Sequence, residues 1–165
     1  MKIWDQNLKG NNSAIDNFLS GEDIVLDQEL FIFDIEASIA HALELKEIKV
    51  LNATECKKII TSLNKLAKLF KAKKYKLTAK YEDCHSAIED FLIKELGSIG
   101  KKIHTGRSRN DQVMVAMRLY AQAKLHEVQE ANTKIAKVFL DKALKHSADP
   151  MPGYTHLQRA MPSTW

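Results

Sequence analysis

His104-Thr105-Gly106-Arg107-Ser108-Arg109-Asn110-Asp111 is the stretch from which the rest of the chain is read. Gly106 is the last glycine before Gly153, and no proline follows it until Pro150. The run from about Asn110 to His146 therefore holds no helix breaker. It predicts one uninterrupted helix roughly 55 Å long at ~1.5 Å rise per residue, far beyond the ordinary helix of about 11 residues. Two arginines, a serine, an asparagine and an aspartate stand at its mouth. Unpaired backbone N–H groups and the helix dipole make such a mouth a natural place to hold an anion.

Val113, Met117, Tyr120, Val128, Ile135, Val138 and Leu144 fall on overlapping faces of that helix. The remainder of a 165-residue chain does not suffice to cover them. A long helical bundle, completed by other helices or other subunits, is the expected fate, and association in solution follows from the apolar surface left over.

Upstream, residues 1 to 20 are polar and weakly patterned, with a loop at Gly10-Asn11-Asn12-Ser13, a short helix from Ser13 to Leu19 and a turn at Ser20-Gly21-Glu22-Asp23. Asp27 to Leu45 reads as helix, with Ile35, Ile39 and Ala42 at three- and four-residue steps. Asn52 followed by Glu55 reads as a capping box opening a helix to about Lys73. Its apolar stripe is Cys56, Ile59, Ile60, Leu63, Ala67 and Phe70. Residues 74 to 84 form a connector. Glu82-Asp83-Cys84-His85-Ser86 opens a further helix with Ala87, Ile88, Phe91, Leu92 and Leu96 inward, Gly97 as its C-cap and Gly100 closing the segment. All three prolines lie in the last sixteen residues. Residues 151 to 158 read as a loop that turns the chain back, and Pro162-Ser163-Thr164-Trp165 as the start of another helix. No stretch reads as a strand, so the fold class is all-α.

The apolar share of 45% marks a globular chain. No apolar run approaches bilayer length, and Met1-Lys2-Ile3-Trp4-Asp5-Gln6 lacks the apolar core of a signal peptide, so a cytoplasmic protein is expected. Cys56 and Cys84 are expected to be free thiols. The formal charge is +4. Its lysines gather between Lys57 and Lys80 at helical spacing with no aromatic platform among them. That reads as a solvated helix face and not as a nucleic-acid surface.

Polar clusters that could carry chemistry are Asp83, His85 and Ser86; Thr105 to Asp111; and Thr155, His156 and Gln158. Each alone is explained by capping, surface charge or a turn. His85, His104 and His156 lack metal-ligand spacing, so no metal is expected. Together, arginines and hydroxyls that grip carboxylates and a histidine that titrates near neutrality suit a site that binds a dicarboxylate and moves a proton.

At these residues the chain resembles the argininosuccinate lyase family of the fumarase and aspartase superfamily. The matching stretches are 34–42, Glu82-Asp83-Cys84-His85, 104–113 and 151–160, in family order. The resemblance implies an N-terminal helical domain over residues 1–108 and the start of a central helical bundle over 109–165. It implies β-elimination of argininosuccinate to arginine and fumarate in arginine biosynthesis, without cofactor, by a homotetramer with no nucleic-acid or membrane partner. His156 matches the family's catalytic histidine. Asn110 and Thr155 match substrate-binding positions, and Ser108, Arg109, Gln158, Asp83, His85 and Asp27 match positions around them. The family's serine- and glycine-rich catalytic loop lies beyond residue 165, so the chain by itself is expected to be inactive.

The chain departs from the family at Trp4-Asp5-Gln6-Asn7-Leu8 in place of Trp-Gly-Gly-Arg-Phe, at Asp23 where many members have serine, and at Met161 in place of glutamine. Alternative readings are a superfamily lyase of the adenylosuccinate or aspartate type, a structural crystallin-like role, and a nucleic-acid-binding helical domain.

Overall fold

The computed structural model describes residues 22–78 and 80–164; the helix expected at 13–19 lies outside them. The described chain is helical, with small strand pairs near its C-terminus. It divides into two compact units at Ala121/Gln122.

In the first unit, α1 spans Asp23–Glu47. Its inner line is Ile24, Phe31, Ile35, Ala42 and Leu45, all buried at helical steps, and Asp34 and Ser38 are buried in the same line. The helix starts earlier than the expected Asp27, because nothing between Glu22 and Asp27 breaks it: the Glu22 carbonyl already accepts from Val25 and Leu26. It ends in a Schellman turn. Lys49 takes φ +63°, and Val50 N–H and Lys49 N–H donate back to the Leu45 and Lys46 carbonyls. The next helix ends the same way, with Lys73 at φ +57° and bonds from Lys74 to Leu69 and from Lys73 to Phe70.

Helix α2, Ala53–Lys71, opens on the expected capping box. Glu55 N–H donates to Asn52 Oδ1 at 2.9 Å and Asn52 N–H to Glu55 Oε2 at 3.0 Å. Asn52→Ala should lower unfolding stability by about 1 kcal/mol, read as a reduced urea midpoint at unchanged slope. Cys56, Ile59, Leu63 and Leu66 of α2 face inward, and every lysine described from Lys57 to Lys80 is exposed. The connector is laid over the core. Phe31 meets the Phe70 ring at 4.5 Å and stacks on Tyr75 at 5.7 Å, and Tyr75 donates its hydroxyl to the Ala87 carbonyl at 3.3 Å.

Helix α3, Cys84–Leu96, stops at Gly97 with φ +59°. Gly100 does not end the segment as expected. It sits inside a short helix α4, Ser98–Lys101, followed by a 3-10 turn over Lys102–His104. A Cβ at Gly100 would lie 2.3 Å from the Leu92 carbonyl oxygen, so this glycine permits two backbones to touch.

Helix α5, Arg109–His146, realises the long unbroken run. Its opening turns belong to the first unit, where Gln112 and Ala116 are buried and Tyr120 meets Phe33 edge-on at 5.8 Å. Residues 122–146 belong to the second unit. There Leu125, Val128, Ile135, Val138, Phe139, Leu140 and Leu144 are exposed.

The remainder of the second unit corrects the expectation of a plain loop and a new helix. Residues 150–164 form a narrow antiparallel ribbon. Strand β1 (Pro150–Met151) pairs with β4 (Ser163–Thr164), and β2 (Tyr154–Thr155) with β3 (Gln158–Arg159). The two pairs are joined by a bond from Ala160 N–H to the Gly153 carbonyl at 2.8 Å. A Cβ on Gly153 would stand 2.4 Å from the Met161 carbonyl oxygen, which ties that position to glycine. The periodicity of two-residue strands is too short to register in a sequence.

Candidate functional site

The loop before α5 is shaped by Gly106 at φ +69°, where a Cβ would meet nothing; the glycine is needed for its backbone angle and not for space. Ser108 then caps the helix. Ser108 N–H donates to Asp111 Oδ2 at 2.9 Å, and Asp111 N–H to Ser108 Oγ at 3.3 Å. The hydroxyl also donates to the same carboxylate at 2.9 Å. These Ser108 donors, the backbone N–H foremost, hold the Asp111 carboxyl below its ordinary range. Asn110 is exposed on the first turn.

Asp83 caps α3. Its Oδ1 accepts from Ser86 N–H at 2.6 Å and from the Ser86 hydroxyl. Its Oδ2 stands 3.4 Å from Arg109 Nε. Arg109 Nη1 reaches Glu89 Oε1 at 3.2 Å and Gln112 Oε1 at 3.3 Å, and Glu89 also faces His104 Nδ1 at 3.1 Å. Arg109 thus clamps the start of α5 to the start of α3. Asp27 accepts from Cys84 N–H at 2.8 Å. Burial pushes its carboxyl above the ordinary range, and that N–H offsets part of the rise.

His85 is buried, and its Nδ1 lies 2.6 Å from Asp34 Oδ2. Asp34 is fully buried on α1. Its two oxygens also accept from Gln112 Nε2 at 3.1 and 3.2 Å. One carboxylate therefore ties α1, α3 and α5 together, and the chain of bonds continues through Gln112 to Arg109. Sequence reasoning quoted Asp34 and Gln112 only as parts of longer matches and gave them no role. A usable signal was present: Asp34 occupies the buried line of α1 between Phe31 and Ser38, and a carboxylate in such a line needs donors from elsewhere.

Among the described residues, the ligand-type atoms of Asp34, Cys84 and His85 lie within 4.8 Å of one another. Spacing alone hid this grouping, since Asp34 comes from another helix. Hydrogen bonds already occupy the carboxylate, and burial followed by the neighbouring Asp34 charge pushes the Cys84 thiol well above its usual range. Cys84 is thereby kept a neutral thiol. Cys56 is likewise free and buried, donating to the Ala42 carbonyl at 3.4 Å.

Thr155, His156 and Gln158 belong to the second unit, and all are exposed on the ribbon. His156 and Leu157 are the two residues between β2 and β3, at φ +50° and +65°. Positive φ at both positions is the geometry of a type I′ hairpin turn, which matches the twist of the strands it joins. Neither residue is a glycine or asparagine, so the turn stores backbone strain of the kind that gathers at functional sites. Imidazole is thereby presented at a hairpin tip, flanked by Thr155 and Gln158 from the paired strands. Leu157 is 99% exposed.

The chain can therefore offer hydrogen-bond donors at a helix mouth, a charge-clamped set of carboxylates and arginine, and an exposed histidine on a stiff ribbon. No described helix is long and apolar enough to cross a membrane. A sequence model of a family described as lyase matches residues 9–165. The argininosuccinate lyase of Xanthomonas euvesicatoria pv. vesicatoria (strain 85-10) is 46% identical over 162 residues, covering 98% of this chain and 38% of that protein. The argininosuccinate lyase of Stenotrophomonas maltophilia (strain R551-3) gives the same figures, 46% identity over 98% and 38%. The chain thus spans about 38% of the length of these curated relatives. With the family matched from residue 9 to residue 165, this chain belongs to the lyase family.

Proposed function

We propose that the chain is part of an argininosuccinate lyase, a carbon–nitrogen lyase that eliminates arginine from argininosuccinate and leaves fumarate. The observation that carries this reading is the 46% identity over 98% of the chain to proteins of that name. In the reaction a base removes a proton from the carbon beside one carboxylate. Negative charge builds on that carboxylate, and donors already aimed at it lower the barrier. The C–N bond then breaks, its electron pair goes to the guanidino nitrogen, and that nitrogen gains a proton to leave as the guanidinium of arginine.

His156 is the residue we assign to general acid–base work. We assign Asn110 and Thr155 to substrate binding, and Ser108, Arg109, Gln158, Asp27, Asp83 and His85 to supporting roles in the reaction. The exposure of Asn110, Thr155, His156 and Gln158 supports roles in contact with a ligand. We place the boundary between an N-terminal helical domain and a central bundle at 108/109, where α5 begins. We further read the whole enzyme as a cytoplasmic homotetramer without cofactor. The exposed apolar residues of α5 support association through that helix.

The test is release of fumarate from argininosuccinate, followed by ultraviolet absorbance. It is run on the chain alone and on the chain mixed with the part of the Xanthomonas relative that follows the matched segment. Activity is expected in the mixture only. Turnover of adenylosuccinate or aspartate instead, or none from folded and associated parts, would overturn the reading.

A further inference from the structure

The positive charge of this chain is gathered in one segment. Residues 56–81 hold nine lysines and no aspartate or glutamate. The whole chain has 25 basic and 21 acidic side chains, so setting those nine lysines aside leaves 16 basic against 21 acidic. Outside the segment the chain is net acidic. All nine lysines are exposed. Among the described residues only Lys65 of the nine forms an ion pair, with Glu95 at 2.9 Å. Like charges placed this close repel one another, and the fold supplies almost no acid to relieve them.

Part of this charge surrounds two adjoining depressions on the outer face of α2. One, of about 390 Å³, is lined by Thr54, Lys57, Lys58, Thr61 and Lys65, with Glu95 of α3 at its wall. The other, of about 580 Å³, is lined by Thr61, Asn64, Lys65, Lys68 and Lys74. Thr61 and Lys65 belong to both, so the two make one furrow. Its helical part, from Lys57 to Lys68, is roughly 16 Å long at ~1.5 Å rise per residue. Lys74 joins it because the left-handed turn at Lys73 folds the chain back on the helix end, where Lys74 N–H donates to the Leu69 carbonyl at 2.9 Å. The lysines, threonines and asparagine of the furrow are all exposed.

We propose that this furrow is the docking surface for an acidic segment of a partner protein, lying extended along α2 with its carboxylates on the lysines. About five residues of extended chain, at roughly 3.3 Å each, span the helical part. Thr54, Thr61 and Asn64 add hydrogen-bonding groups between the charges. A membrane surface fits less well. Among the described residues no large apolar side chain is exposed between Ile48 and Ile93, so nothing there can enter a lipid interface. Nucleic acid also fits less well. The furrow has no arginine to grip phosphate with two parallel bonds. The nearby rings of Phe70 and Tyr75 pack on Phe31 and are not offered to bases. Single surface ion pairs contribute little, so the partner must bring several carboxylates at once. The furrow uses none of the residues assigned to the lyase reaction and stands or falls separately from that reading.

The test is fluorescence anisotropy of a labelled octaglutamate peptide in about 0.15 M salt. The peptide is titrated with the chain alone and with the chain mixed with the relative's remaining segment. Saturable binding with a Kd below about 100 μM is expected in both. Lys65→Glu/Lys68→Glu should weaken it at least about tenfold. Lys134→Glu/Lys137→Glu, an equal charge change at exposed positions of α5, should leave it within about twofold. Glu95→Gln frees Lys65 and should tighten binding about two- to fivefold, a gain that a misfolded variant does not give. Absence of saturable binding, its loss in the mixture, equal weakening by the α5 variant, or no gain in Glu95→Gln would each overturn the proposal. A DNA duplex of about 12 base pairs binding as tightly as the peptide would overturn it in favour of a nucleic-acid surface.

Discussion

Asp34→Ala will lower the stability of the first unit by about 3–5 kcal/mol, the range for removing one partner of a buried charged network. Asp34 is fully buried and accepts from His85 and from Gln112 through both oxygens. Truncation leaves the Gln112 amide and the His85 ring facing each other across a void, with no acceptor for either. Each stranded donor costs about 1–3 kcal/mol, and the lost volume adds to this. Total stability of a domain this size is about 5–15 kcal/mol, so the variant should be close to unfolding at room temperature. Asp34→Asn keeps the shape and one acceptor oxygen and should lose less. Glu36→Ala, two residues away on the exposed face of the same helix, should stay within about 0.5 kcal/mol of the parent. Urea unfolding followed by circular dichroism decides this. An Asp34→Ala midpoint equal to that of Glu36→Ala would mean the network carries no stability.

His156→Asn should lower kcat/KM for argininosuccinate by about 10²- to 10⁴-fold, the usual worth of a positioned acid or base. Asparagine is the informative replacement. His156 has φ +50°, and asparagine adopts positive φ more readily than most residues. The hairpin turn is therefore kept while the titrating ring is removed. A loss of activity then reports chemistry and not a collapsed ribbon. The assay is fumarate release by the chain supplemented with the relative's remaining segment, with circular dichroism confirming equal folding. Retention of activity within about threefold would move the proton-transfer role away from His156.

The helices were legible because their signals are local. The stripe of Cys56, Ile59 and Leu63, the Asn52–Glu55 box and the unbroken run after Gly106 each lie within a few turns of sequence. The termini of α1 and α2 were less so. Lys49 and Lys73 occupy left-handed positions usually marked by glycine, and a lysine there gives no warning. The strands were missed for a related reason: His156 and Leu157 form a tight turn without the residues that announce one.

What the sequence by itself determined is the all-α class, the long helix and the family, through strings such as 104–113 and 151–160 that are long enough to be specific. Only the tertiary structure decided what the polar residues of those strings do. It separated Arg109, clamped between acids, from Arg107, half-buried against the Ser38 hydroxyl, although both stand in a single motif. It also joined Asp34 to His85 and Gln112 across 51 and 78 residues of chain. The physical reason is that burial and hydrogen-bond partnership are properties of packing between helices. Residue order carries the tendency of each helix to form, but not which of its polar groups will meet another helix and which will be left for a ligand.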